Sequence, residues 1–226
     1  MKTTILTTLA VAAFAGTALA DTINATFTGV SPGQGVSIRI NGDNMNTQAG
    51  VFNFLRSASN PGTLPGFTPT FQGFCIDLTE SVSNGHDYSW STYSLANAPT
   101  SAAGAMGATR AQRLGRLFAN QYTSLAGAAN QAQAYAAFQL AVWEIVSDDG
   151  LDLEHGAFRV TSAPSGTQAL AQSWLEHVSA GSGWSLVAID DPTNDCDGHQ
   201  GYVLAPAPGA AALMGLGLIT AGRRRR

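Results

Sequence analysis

The stretch from Gln131 to Ser147 constrains the fold of this chain most, because it is typical of one long helix between two strand-rich regions. Its apolar residues recur with the spacing of a helix face, and the turn at 148–150 ends the pattern. Alternating apolar and polar residues with Gly- and Asn-rich turns predict strands over residues 22–95, and further strands are predicted at 184–189 and 200–204. Strands, then helices, then strands predict an α+β domain.

One polar residue, Gln139, lies in the apolar face of that helix. On a helical wheel Gln139 falls between Tyr135 and Trp143, whereas Glu144 and Asp148 fall on the opposite, polar face. A buried amide without partners costs on the order of 1–3 kcal/mol. The side chain of Gln139 is therefore either hydrogen-bonded to backbone across the core or no longer an amide.

A cysteine in a predicted strand offers a reaction partner for this glutamine. Cys75 lies in the apolar segment 71–78, and a thiolate there could attack the Gln139 carbonyl and expel ammonia, which would leave a thioester. Phe74, Phe138 and Trp143 could keep water away from the bond. The rival interpretation is a Cys75–Cys196 disulfide, the usual pairing in an exported protein with two cysteines.

Two short motifs resemble those of the bacterial thioester domain family. Phe74-Cys75-Ile76 resembles its aromatic-Cys-aliphatic motif, and Gln139-Leu140-Ala141-Val142-Trp143 resembles its Gln-x-Ala-aliphatic-Trp motif, although Phe138 stands where Thr is usual. The resemblance implies a strand-rich, β-sandwich or barrel-like core with an inserted helical subdomain. It also implies that Cys75 and Gln139 form the thioester, that Trp143 packs beside it, and that the domain attaches to amine-bearing surface or matrix partners.

The first twenty residues have the features of a secretory signal peptide. Lys2 supplies a positive charge, an apolar run follows, and Ala18 and Ala20 form a small-x-small cleavage site for signal peptidase. We therefore expect an exported chain whose mature, extracytoplasmic domain spans residues 21–204.

The C-terminal segment 205–226 carries a second targeting pattern. Pro206 and Pro208 precede an apolar run at 210–221, which ends in four arginines (Arg223, Arg224, Arg225 and Arg226). This order resembles the PEP-CTERM sorting signal, with Ala205 and Ala207 in place of Val and Glu. The resemblance implies an exosortase-type sorting enzyme, a transmembrane helix that anchors an inner-membrane intermediate, and final release to the cell surface or extracellular matrix.

Composition narrows the remaining function classes. The mature region carries all fifteen acidic residues against six arginines, so its nine net negative charges argue against a nucleic-acid partner. The histidines lack metal-ligand spacing, the acidic loop 190–198 fails the EF-hand template, and no nucleophile elbow occurs, so we expect neither a metal, a cofactor nor a turnover enzyme. The alternatives are a structural matrix protein with the disulfide, and a calcium-dependent carbohydrate-binding module.

Overall fold

The computed structural model describes residues 21–63, 68–100, 104–191 and 198–206. The signal-peptide residues Ala18 and Ala20, Cys196, Pro208 and the four C-terminal arginines lie outside these ranges, and so does the apolar run at 210–221. Within the described ranges no helix is both long enough and apolar enough to cross a membrane.

The described part of the chain contains nine strands and four α-helices. The strands are β1 (Thr22–Ile40), β2 (Asp43–Arg56), β3 (Thr70–Cys75), β4 (Asp87–Ser94), β5 (Pro99–Thr100), β6 (Gly104–Ala105), β7 (Phe158–Ser162), β8 (Val187–Asp190) and β9 (Tyr202–Leu204). The helices are α1 (Gly107–Leu117), α2 (Thr123–Leu125), α3 (Gln131–Ser147) and α4 (Thr167–Leu175), with a π-helical turn (Phe118–Tyr122) between α1 and α2 and a 3₁₀ turn (Leu95–Asn97) after β4.

Six of the strands form a closed ring in the order β1-β2-β3-β9-β8-β4, because β1 pairs with β2 along most of its length and with β4 through its first residues. Every pairing is antiparallel, and β7 adds to the far end of β1. The chain leaves this ring after β4, forms the helices and β7, and returns as β8 and β9. This confirms the predicted α+β class with a strand-rich, barrel-like core and an inserted helical part.

The long first strand explains one difference from the expected elements. The sequence predicted strands separated by turns over residues 22–95, but residues 22–40 form the single strand β1, which pairs with three partner strands. Register shifts after Phe27 and Val30 mark irregularities that let a long strand bend, as barrel closure requires.

Helix α3 occupies the bounds predicted from its periodicity, Gln131–Ser147, and the Asn130 side chain caps it by accepting a hydrogen bond from the Gln133 N–H at 3.1 Å. It packs against β1, β2 and β3 on one side and against α4 on another. As a result α3 is buried from Ala134 to Val146, on all sides. The prediction that Glu144 lies on a polar face was wrong, because Glu144 is fully buried.

Candidate functional site

Cys75 and Gln139 meet where strand β3 loses one of its neighbours. The ladder between β2 and β3 ends at the Phe52–Gly73 pair, whereas the ladder between β3 and β9 continues to Cys75 and Tyr202. The backbone groups of Cys75 therefore face the side of β3 from which β2 has diverged. Buried backbone groups of this kind need partners.

The Gln139 side chain supplies these partners. The Cys75 N–H donates to Gln139 Oε1 at 2.9 Å, and Gln139 Nε2 donates to the Cys75 carbonyl at 2.9 Å. Both residues are fully buried. The amide thus replaces the missing strand, which accounts for a glutamine in the apolar face of α3. The first alternative raised by the sequence, an amide bonded to backbone across the core, describes the structure.

The Cys75 thiol is a free, buried group that donates a hydrogen bond to the Asp77 carbonyl at 2.9 Å. Burial raises its pKa to about 12; the Trp143 indole lowers this pKa, and the Asp77 carboxylate raises it. Cys75 is therefore held as a thiol, and any reaction must move its proton as part of the chemical step.

Aromatic rings enclose the helix side of the site. The Phe74 ring lies 4.6 Å from that of Phe138 and 5.7 Å from that of Phe118, and Phe118 and Phe138 are 4.9 Å apart. Phe74 and Phe138 thus pack directly against each other. The π-helical turn contributes Phe118 and Tyr122, which the sequence analysis did not identify, although a π-helical turn is often found at functional sites.

Trp143 lies one turn after Gln139 on α3 and is 1% exposed, as its predicted packing role requires. Its ring packs 6.3 Å from that of Phe158. Within the described part of the chain its indole N–H makes no hydrogen bond, although the indole lowers the pKa of the Cys75 thiol.

The acidic side chains of Asp77 and Asp190 act electrostatically on Cys75, and the sequence analysis did not identify them. Asp77, Asp190 and Asp191 are all buried. Burial raises the pKa of Asp190 to about 7; the Asp191 N–H lowers it, and the charges of Asp77 and Asp191 raise it further. The strand pairs 91–190 and 75–202 bring these acids near the cysteine, and such long-range pairings carry no local sequence signal.

Beside these acids, the side chain of His199 connects two segments of the chain. His199 Nδ1 lies 2.8 Å from Asp191 Oδ2, and its Nε2 lies 2.9 Å from the Ser89 carbonyl. A carbonyl can only accept, so His199 Nε2 donates to the Ser89 carbonyl, and Nδ1 lies within hydrogen-bond distance of the Asp191 carboxylate. The His199 side chain is largely buried in this pair, at 17% exposed.

Most of the acidic loop 190–198 lies outside the described residues, and the acidic side chains of a second turn, at 148–154, bind backbone. Asp148 accepts from the Gly150 N–H at 2.9 Å, and Asp152 accepts from the Glu154 N–H at 2.9 Å. Among the residues that the structure describes, no group of His, Cys, Asp and Glu could hold a metal ion. Of the sorting motif, only Pro206 is described; it is half-buried just beyond β9.

Residues 72–178 of the chain match the model of the thioester domain family. Neither a curated protein nor a solved structure matches the chain significantly. The matched region contains Cys75, Gln139 and the whole of α3, so the match supports the resemblance that the two motifs indicated. Strands β1, β2, β8 and β9 lie outside the match but complete the ring around it.

Proposed function

We propose that this protein is an exported surface protein that forms an internal thioester between Cys75 and Gln139 and uses it to attach covalently to an amine-bearing partner. The observation that carries the proposal is the two-point hydrogen bonding of the Gln139 amide to the Cys75 backbone, at 2.9 Å each. It holds the acyl group beside the sulfur of the same residue. The family match over residues 72–178 supports the same chemistry.

Bond formation follows from this geometry. The Cys75 sulfur attacks the Gln139 carbonyl carbon, and negative charge develops on Oε1, which already accepts the Cys75 N–H. The C–N bond then breaks, and the thiol proton leaves with the amide nitrogen as ammonia. The products are one thioester and one ammonia, and no oxidant or cofactor is needed.

In the attachment step nitrogen is the nucleophile and sulfur is the leaving group. An amine of the partner attacks the thioester carbonyl, the C–S bond breaks, and the amine proton passes to the Cys75 sulfur. The product is an amide between Gln139 and the partner. Because the acyl group is used once, the protein acts as a single-use reagent rather than a turnover enzyme. The mature region contains no lysine that could consume the bond internally.

Export and sorting belong to the same proposal. Signal peptidase would cleave after Ala20, and an exosortase-type enzyme would recognise Pro206, Pro208 and the tail that ends in Arg223–Arg226. The chain would be anchored transiently in the inner membrane and then displayed at the cell surface or released into the extracellular matrix. A low-charge, Lys-free mature domain suits this role because its own surface offers no side-chain amine.

The intact mass of the purified mature domain, measured without reductant before and after methylamine, tests the proposal. We expect a mass lower by one ammonia than the sequence requires, followed by uptake of one methylamine at Gln139. The variants Cys75→Ala and Gln139→Ala should show neither change, whereas Gln131→Ala, at an exposed site on the same helix, should behave as wild type.

A mass lower by two hydrogens, restored by reductant and indifferent to methylamine, would instead establish a Cys75–Cys196 disulfide. The protein would then be a structural surface protein. The structure does not favour this outcome, since the Cys75 thiol is fully buried and bonded to the Asp77 carbonyl.

A further inference from the structure

Arg39 of β1 and Arg159 of β7 are direct partners in the antiparallel ladder between these strands. Cross-strand partners project from the same face of a sheet with their Cβ atoms roughly 4.5–5.5 Å apart, and like charges at that separation repel each other. Within the described residues neither guanidinium forms a salt bridge, whereas Arg110 and Arg113 both pair with Asp149. Two positive charges are therefore held together without a countercharge from the described protein.

The Arg159 side chain also contains a buried donor without a partner. Its Nε makes no hydrogen bond to the described part of the chain, whereas Arg39 Nε donates to the Gly42 carbonyl at 2.8 Å. Buried donors without partners are uncommon in folded proteins and call for an explanation. The fork of N–H groups in arginine matches a carboxylate or a similar oxyanion. Because no described acceptor fixes the Arg159 guanidinium, it can turn toward such an anion and share it with Arg39.

An open groove continues along the same face of the sheet. Ser37, two positions before Arg39 on β1, pairs with Asn46 of β2 and with Ser162 of β7. Alternate residues of a strand share a face, so this trio lies on the face that carries the two arginines. The groove has a volume of about 620 Å³, within the range of ligand sites. Its polar side chains are those of Ser37, Asn46, Thr47, Gln48 and Ser162.

The lining of this groove favours a sugar over an apolar ligand. Its described side chains include no aromatic ring and no charge, and its polar groups are hydroxyls and amides. The Ser37 hydroxyl donates to Asn46 Oδ1 at 2.7 Å, which leaves the Asn46 amide nitrogen to donate and the Ser37 oxygen to accept. Sugar hydroxyls both donate and accept hydrogen bonds, so mixed groups of this kind match them.

The distribution of acids agrees with a negative charge at the arginine end. The strands β1, β2 and β7 together contain a single acid, Asp43, which pairs with Ile40 and so projects from the opposite face. Three other acids line a separate cleft that adjoins the groove at Ala163; they are Asp152, Glu154 and Glu176. An anionic ligand is therefore directed away from that cleft and toward the arginines.

We propose that this face of the sheet binds an acidic saccharide noncovalently, with sugar rings in the groove and a carboxylate or sulfate between Arg39 and Arg159. The nine net negative charges of the mature region disfavour a nucleic acid, which carries a charge on every nucleotide. No residue of this site belongs to the Cys75–Gln139 site, so the proposal does not depend on the thioester.

Isothermal titration calorimetry of the mature protein with tetragalacturonate at low ionic strength tests the proposal. Arg159→Gln and Arg39→Gln each remove one charge from the site, and Arg110→Gln removes one charge from α1 as the matched control. The affinity should fall roughly tenfold or more in each site variant, the loss typical of a hydrogen bond to a charged group. Arg110→Gln should change it by less than about twofold, since distant surface charges are screened. The methyl ester of the probe, which keeps the rings and lacks the charges, should bind wild type roughly tenfold or more weakly.

A κ-carrageenan tetrasaccharide, which carries sulfates alone, shows which anion the site prefers, and binding of neither tetrasaccharide to wild type would overturn the proposal. Wild-type affinity in Arg159→Gln would also overturn it, and so would an equal loss in Arg110→Gln, because binding would then follow overall charge. Hexaglutamate that binds as tightly as tetragalacturonate would indicate a site for acidic peptides instead.

Two further measurements keep the result independent of folding and of the thioester. Should Arg159→Gln fail to fold, Arg159→Lys keeps the charge, lacks the planar fork, and should still bind tetragalacturonate more weakly than wild type. Protein treated with methylamine should bind the probe as tightly as untreated protein. The saccharide site is therefore tested whether or not the thioester forms.

Discussion

At the scale of single residues, two buried carboxyl groups respond to pH near neutrality. Burial raises the pKa of Glu144 from 4.5 to about 7; the Asp152 N–H lowers it, and the charges of Asp148 and Asp152 raise it. Asp190 shows a similar shift, from 3.8 to about 7, chiefly through burial. Between the two pKa values the folded state holds a proton that the unfolded state has released. The free energy of unfolding therefore falls as pH rises through this window.

Replacing Glu144 by Gln should remove its part of this pH dependence. Between pH 5 and 7 the decline in the free energy of unfolding should be smaller by about 2–3 kcal/mol than in wild type, since one pKa unit corresponds to about 1.4 kcal/mol. Urea denaturation at pH 5, 6, 7 and 8 measures this difference. Glu154→Gln, which alters an exposed acid of the neighbouring loop, is the control. Parallel pH profiles for wild type and Glu144→Gln would contradict the assignment.

Glu144 and Gln139 also show what the sequence could predict at this scale. The helical wheel identified Gln139 correctly as a polar residue on a buried face. It placed Glu144 on a solvated face, because a wheel describes one helix and contains no information about α4 or the loop that covers the second side. Oε1 of Glu144 accepts the Asp152 N–H at 2.8 Å, a contact within that covering loop.

At the scale of secondary-structure elements, α1 packs closely against the segment before β8 because Gly115 has no side chain. A Cβ at Gly115 would lie 2.5 Å from the Trp184 carbonyl oxygen, and the Trp184 N–H donates to the Gly115 carbonyl at 2.9 Å. Two backbones therefore meet directly at this glycine. The π-helical turn that encloses the site follows α1, so its position depends on this contact.

We expect Gly115→Ala to destabilise the domain by about 1–3 kcal/mol, the usual cost of overpacking. Gly127→Ala is the matched control, because its nearest neighbour would be the Ser124 carbonyl at 3.8 Å. It should be neutral or slightly stabilising, since it restricts the unfolded chain. Thermal denaturation of the two variants beside wild type decides the point, and an unchanged melting temperature for Gly115→Ala would show that the helix shifts without cost.

Phe118, the first residue of the π-helical turn after α1, connects this part of the fold to the proposed thioester chemistry. It is fully buried, and its ring packs against both Phe74 and Phe138. Phe118→Ala should admit water and speed the spontaneous hydrolysis of the proposed thioester, which appears as regain of one water in the intact mass over time. Leu114→Ala, at another buried position of α1, controls for lost stability. Equal hydrolysis in the two variants would argue that Phe118 does not exclude water.

The sequence largely predicted the secondary-structure elements themselves, but it did not predict where they meet in the fold. The bounds of α3 follow from its periodicity and from the turn at 148–150. The end of the β2–β3 ladder at Gly73, which leaves the Cys75 backbone for Gln139 to satisfy, depends on how β2 bends around the ring. The sequence therefore indicated that the Gln139 amide needed a partner without showing that Cys75 itself supplies it.

At the scale of the whole molecule, the region that resembles a known family is not a self-sufficient unit. Strand β3, which carries Cys75, pairs with β2 on one side and β9 on the other, and both lie outside residues 72–178. A fragment of residues 72–178 should therefore fail to unfold cooperatively, whereas residues 21–206 should do so. Far-UV circular dichroism during heating compares them, and a cooperative transition in the shorter fragment would show that the helical part folds alone.

The hydrogen bonds that position Gln139 do not involve the Cys75 thiol. Gln139 is oriented by main-chain atoms at position 75, which every amino acid except proline provides in full, while the thiol belongs to the side chain alone. A substitution such as Cys75→Ala or Cys75→Ser therefore keeps the hydrogen bonds that position the glutamine and removes only the nucleophilic sulfur. In the proposed chemistry, one amino-acid change at this position would therefore make the difference between a reactive domain and an unreactive one, with the surrounding core unchanged.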